Sequence, residues 1–190
     1  MTQSPVPPGH LAAIVTHLEL ARPPGPPPAA PQGAALERMG PEPGPYLALW
    51  RAVGAPWLWA SRLLVPEAEL AATLADPAVH AYRARLAGAE AGILELDFRR
   101  PGACEIAFLG LVPGMEGRGL GRWLMGEALA RASRPGLRVH VHTCTLDSPA
   151  ALPFYLASGF KAMHRETEIF PDPRAAGLLP REAAPQVPML

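Results

Sequence analysis

Gly117, Gly119 and Gly121 alternate between a strand-like run ending near Pro113 and a helix-like run beginning near Leu120. Positions without Cβ let a backbone turn tightly and let its N–H groups approach an anion. A helix start adds unpaired donors and a positive dipole end. This context suits phosphate binding by main chain, held by Glu116-Gly117-Arg118-Gly119-Leu120-Gly121. Two other phosphate loops fit worse. A P-loop needs Lys then Ser or Thr after its last glycine, whereas Arg122-Trp123 follows Gly121. A dinucleotide fingerprint opens the first βαβ unit of a parallel sheet, whereas three strand-like runs joined by short turns come first here. Glycines used only for packing are the remaining alternative.

A second group with chemical capacity is His140, His142 and Cys144, which alternate along one predicted strand and so share a face. No fourth ligand stands at a motif spacing, so no metal is expected, and strand histidines commonly take hydrogen-bond partners instead. Cys144 as a covalent nucleophile beside His142 is a rarer arrangement still. Trp57 and Trp59 lie two apart in Pro56-Trp57-Leu58-Trp59. An extended backbone would point both rings to one side, either into a core or onto an apolar wall of a substrate pocket.

These groups must be positioned by the elements around them. Apolar spacing predicts helices over 46–53, 66–75, 120–133 and 150–158, and strands over 10–19, 79–87, 91–98, 104–112, 137–145 and 160–169. Short turn signals at 88–90 and 99–102 make an antiparallel meander of three strands. The order is β, α, α, β, β, β, α, β, α, β. Residues 1–9 read as a flexible N-terminus, 10–170 as one domain, and 171–190 as a loose tail. Much of the proline, 25 residues in all, falls in a stiff connector over 22–45 that excludes helix and central strand.

Leu111-Val112-Pro113-Gly114-Met115-Glu116-Gly117-Arg118-Gly119-Leu120-Gly121 closely resembles the cofactor motif of GNAT acetyltransferases, Q/R-x-x-G-x-G/A. Ser148-Pro149-Ala150-Ala151-Leu152-Pro153-Phe154-Tyr155, with Gly159-Phe160 after it, resembles that family's second motif, N-x-x-A-x-x-x-Y. The resemblance implies an α/β fold with a mixed, mostly antiparallel central sheet, flanked by helices and splayed to admit acetyl-CoA. It implies that backbone N–H groups at Gly117, Arg118, Gly119, Leu120 and Gly121 bind the pyrophosphate, and that Arg118 and Arg122 add charge. Leu111 and Val112 would pair with the pantetheine amides, and a bulge near Leu109-Gly110-Leu111 would open the slot. Ser148 stands where the motif has Asn, and Glu116 where it has Gln or Arg, so the Glu116 carboxylate is expected to turn away from phosphate. Pro153 is expected to bend its helix.

Acyl transfer from a thioester to an amine needs a base for the amine and an acid for the departing thiolate. The resemblance assigns Tyr155 to the coenzyme sulfur and places Glu105 where some members carry a catalytic glutamate. A half-exposed strand glutamate in a cross-strand pair is the plain alternative for Glu105, and His142 remains a second candidate base. The implied activity is N-acetyl transfer to a primary amine of a small molecule or peptide, with Trp57 and Trp59 as pocket wall. A non-catalytic acyl-CoA sensor of the same fold is the competing reading.

Composition narrows the partners. Seventeen basic residues balance seventeen acidic ones, so no overall field collects nucleic acid or an anionic membrane. A chain of 190 residues suits one domain. Two cysteines and a start without a charged and apolar leader fit a cytoplasmic protein with reduced thiols. An exposed last strand could pair two copies as a homodimer.

Overall fold

The computed structural model describes residues 3–22 and 24–189. Met1 and Thr2 of the expected flexible N-terminus, Pro23 of the connector and Leu190 of the tail lie outside them. In β4 (Ala89–Asp97) every residue from 91 to 96 is buried, so this strand is covered on both faces. Leu94 and Leu96 pack with Leu120, Trp123, Leu124 and Ala128 of α4 (Leu120–Ala132). Ile93, on the other face, packs with Tyr46, Leu49 and Trp50 of α1 (Pro43–Gly54) and Leu70 and Leu74 of α3 (Glu67–Ala75).

β4 pairs antiparallel with β3 (Val79–Leu86) and β5 (Ala103–Leu111), forming the expected meander. Ala87 and Gly88 join β3 to β4 at φ 49° and 83°, the left-handed pair that a two-residue hairpin turn demands. The other strands are β1 (His10–Leu20), β2 (Ala34–Arg38), β6 (Arg138–Cys144) and β7 (Phe160–Pro171). The sheet order is β2-β3-β4-β5-β6-β1-β7, and β5·β6 is its one parallel pair among the described residues. The open, mixed, mostly antiparallel sheet with flanking helices is thus the observed fold.

Several local expectations need correction. β2 was not predicted. It starts three residues after Pro31, where Ala-Ala-Leu-Glu-Arg is free of proline and adds to β3 as an edge strand. β1 lies inside the sheet, between β6 and β7, so the chain must cross from there to the far edge. It does so over α4, and a Cβ on Gly126 would stand 2.5 Å from Pro28 Cδ and 3.2 Å from Pro27. Pro153 does not interrupt a helix, because α5 (Ala151–Ala157) begins two residues before it. In a first turn the missing N–H had no partner to lose.

Residues beyond Phe170 were expected to be loose, yet they fold back. Arg174 and Asp172 are both almost fully buried. The guanidinium donates to Asp172 at 2.8 Å and to the carbonyls of Ala183, Ala184 and Val187 at 3.1, 3.3 and 2.8 Å. One arginine thereby gathers a segment too rich in proline for a ladder, and Leu179 and Ala184 close a small core with Leu11 and Leu58. β7 is an edge strand, exposed from Lys161 to Glu168, and its charges discourage edge pairing. Among the described residues no helix is long and apolar enough to cross a membrane.

Seating of the connector on α4 is testable. In Gly126→Leu the overpacking cost, about 1–3 kcal/mol, exceeds the helix-propensity gain of less than about 1 kcal/mol. Urea unfolding is expected to show a net loss of about 1 kcal/mol; a net gain would mean that the prolines do not rest on this helix.

Candidate active site

β5 and β6 pair over three positions only: Ala103 with Arg138, Cys104 with Val139, and Glu105 with His140. Past these the strands part. Glu95 of β4 faces Phe108 while Leu96 faces Ile106, so Ala107 is an extra residue that bends β5. The bulge is therefore at Ala107 and not at Leu109-Gly110-Leu111. Gly110 serves close packing instead, since a Cβ there would meet Val53 at 2.5 Å and Trp59 at 3.4 Å. Between the separated strands lies a cleft of about 690 Å³ that residues 106–111 help to line.

Gly117, Gly119, Gly121 and Arg122 line the cleft where β5 leads into α4. Gly117 and Gly119 have φ of 76° and 79°, a region costly for side chains with Cβ. Gly119 is the N-cap of α4 and no side chain caps this end, so the first-turn N–H groups remain free to bind an anion. Leu120 contributes backbone only, because its side chain is buried under the sheet. Arg118 is exposed beside the turn without lining the cleft. The Glu116 carboxylate accepts the Gly114 N–H of its own loop at 2.8 Å, yet Glu116 also lines the cleft with the glycines. Leu111 lines the cleft, but Val112 does not: its N–H donates to Ala91 and its carbonyl accepts from Met115.

Tyr155 on α5, buried in the core, also lines the cleft, its ring 6.0 Å from that of Phe160. Burial, with the Asp147 charge nearby, pushes its hydroxyl pKa up, so it stays protonated. Ser148 lines the cleft at the start of the α5 turn, accepting the Ala150 N–H at 3.3 Å.

Glu105 and His142 meet across the parting of the strands, with His142 Nδ1 3.0 Å from Glu105 Oε1. That hydrogen bond holds the Glu105 carboxyl below its usual range and raises the His142 imidazole above its own. Only His142 of the two lines the main cleft; Glu105 borders a smaller one with Asp97, Arg99, Arg100 and His140. Burial pushes Cys144 up to about 11, which keeps it a thiol and a poor nucleophile. His140, His142 and Cys144 share a face as expected, with His140 lowered by burial.

Trp57 and Trp59 both line the cleft, though not on an extended backbone. Trp57 ends a 3-10 turn, Ala55–Trp57, and Leu58 between the two tryptophans is left-handed at φ 55°. Trp59 packs against Trp50 and Phe108 at ring separations of 5.5 and 5.2 Å and donates to Asp147 at 3.1 Å. Asp147 was not singled out in the sequence. Its other oxygen accepts from Thr143 at 2.7 Å and from the Cys144 N–H at 2.8 Å, tying β6 to the tryptophan. Glu95 was missed too. It is fully buried and bonded by the Tyr46 hydroxyl and by Arg62 of α2 (Ser61–Leu64), whose guanidinium lies 5.2 Å from the Phe108 ring centre. An acidic residue inside an apolar strand was the available signal for it.

The model of the Acetyltransferase (GNAT) family matches residues 46–160, more than half of the chain, and the chain belongs to that family. Solved structures that share its fold include a functionally unknown conserved protein from Staphylococcus epidermidis ATCC 12228, with TM-score 0.62, 14% identity, and 86% of this chain and 63% of that one covered. A GCN5-related N-acetyltransferase from Sphaerobacter thermophilus aligns with TM-score 0.57 and 22% identity over 86% of this chain and 51% of its own. An aminoglycoside acetyltransferase from an uncultured soil metagenomic sample, in complex with sisomicin, gives TM-score 0.53 and 18% identity over 67% and 88%. The chain thus spans less than two thirds of the length of the first two. No curated protein matches it.

Arg62 anchors the short α2 wall through the buried Glu95. Arg62→Met leaves that carboxylate without a cation, a change that costs about 3–5 kcal/mol for buried pairs. Urea unfolding is expected to show a loss of about that size, most of it recovered in the Glu95→Leu, Arg62→Met double variant. Additive losses would contradict the pairing.

Proposed function

We propose that this chain transfers an acetyl group from acetyl-CoA to a primary amine of a small molecule or peptide. The observation that carries the reading is the cleft between β5 and β6, lined by left-handed glycines before an uncapped helix start, by Tyr155 and by His142, which Glu105 holds from behind. A pyrophosphate fits the glycine end, where Gly117 to Gly121 supply N–H groups and Arg122 a positive charge. Trp57, Trp59 and Phe108 offer an apolar wall at the far end, and Glu168 a negative charge that favours a cationic amine.

His142 is the base in this account and Glu105 its positioning residue. With Nδ1–H donated to Glu105, the Nε2 lone pair takes the amine proton. The amine nitrogen attacks the thioester carbonyl, the N–C bond forms as the C–S bond breaks, and the thiolate takes the Tyr155 proton. Main-chain N–H groups of β5 near the Ala107 bulge would serve the carbonyl oxygen as it gains charge. No step draws on a metal.

The test is thioester cleavage of acetyl-CoA against a panel of amines, with kcat/KM followed over pH. A neutral imidazole is required, so the rate rises with pH through the raised His142 pKa. Glu105→Gln leaves the acceptor's own titration untouched and is expected to move this limb to lower pH. His142→Gln is expected to lower kcat/KM by about 10²–10³. An unmoved limb and an unchanged rate would overturn the base assignment; saturable binding without any turnover would favour the sensor.

A further inference from the structure

The sheet register extends a row of imidazoles from His142 to two residues outside the machinery described above. His17 of β1 faces His142 of β6 on one side and His164 of β7 on the other. Directly paired residues project to the same face, so the three rings stand side by side across three strands. The His17 and His164 rings are stacked, 4.4 Å apart and 7° from parallel. Glu166, two residues along β7 from His164 and so on the same face, places Oε1 2.6 Å from His17 Nε2.

We propose that His17, His164 and Glu166 form a binding site for a divalent transition-metal cation of the zinc class, on the sheet face that carries the acceptor end of the cleft. One ligand atom from each lies within 4.8 Å of the others, the one such grouping among the described residues. Two imidazole nitrogens and a carboxylate oxygen, with water completing the shell, are a donor set suited to zinc, which they would hold at about 2.0–2.2 Å. Tetrahedral ligation puts donor atoms roughly 3.4 Å apart, so a modest closing movement suffices. His164 and Glu166 are exposed, while His17 is held in an interior strand, half-buried.

The surroundings favour a cation. Glu168 follows two residues on along β7 and Glu105 bonds the third histidine of the row, so the face carries carboxylates at both ends. The site is independent of the expected absence of metal at His140, His142 and Cys144. His142 is already engaged by Glu105, and its ring centre stands 5.8 Å from that of His17. A cation bound here would oppose entry of a protonated amine into the cleft; that consequence rests on the acetyl-transfer reading, whereas the site does not.

Calorimetry with zinc chloride on the metal-stripped full chain, and the visible spectrum with cobalt(II), test the site directly. One ion per chain is expected. His164→Ala and Glu166→Gln, both at exposed positions, should each weaken binding by at least about tenfold, while His10→Ala leaves it unchanged. Absence of saturable binding by the folded chain would overturn the proposal. So would binding that survives both substitutions, including binding lost only in His142→Ala. The readout is metal occupancy, so it stands or fails separately from acetyl transfer.

Discussion

The parting of β5 and β6 after the Glu105–His140 pair is the constraint on which the rest of the molecule depends. Two parallel strands that stayed paired would bury their main-chain groups in a ladder and leave no cleft. Divergence exposes the β5 edge from residue 106 onward, and the extra residue at Ala107 directs that edge away. The same strand then delivers the chain to Gly117 and the start of α4. The glycine turn into α4, the cleft and the His142–Glu105 pair are thus consequences of one failure to continue a ladder.

Two polar knots hold the open geometry from the helix side. Asp147 joins the end of β6 to Trp59, so the far wall of the cleft cannot swing independently of the strand that carries His142. Glu95 holds Arg62 beneath Phe108 and fixes the short α2 wall. Buried charges of this kind add little net stability over apolar replacements, and their value here is to specify position. The Arg174 knot does the same for the C-terminal residues, closing them over the end of β1.

Much of this was legible in the sequence because it is local. The glycine alternation, the meander with its turns and the amphipathic α4 depend on residues within a few positions of one another, and all three are present. What escaped depends on long-range pairing. Nothing in residues 10–20 states that their strand enters between β6 and β7, so His17 was not grouped with Glu166, 149 positions away. β2 was hidden by the prolines before it, and the packed C-terminal residues by their weak periodicity. Asp147 and Glu95 reveal their roles only through the partners that folding brings to them.

Amide chemical shifts of the isotope-labelled chain during titration with coenzyme A test the central claim, that the parted strands and the α4 start form a cofactor slot. Saturable shifts concentrated at Gly117 to Arg122 and along residues 106–111 are predicted. A folded chain whose amides stay unmoved there, or respond only at distant positions, would contradict it.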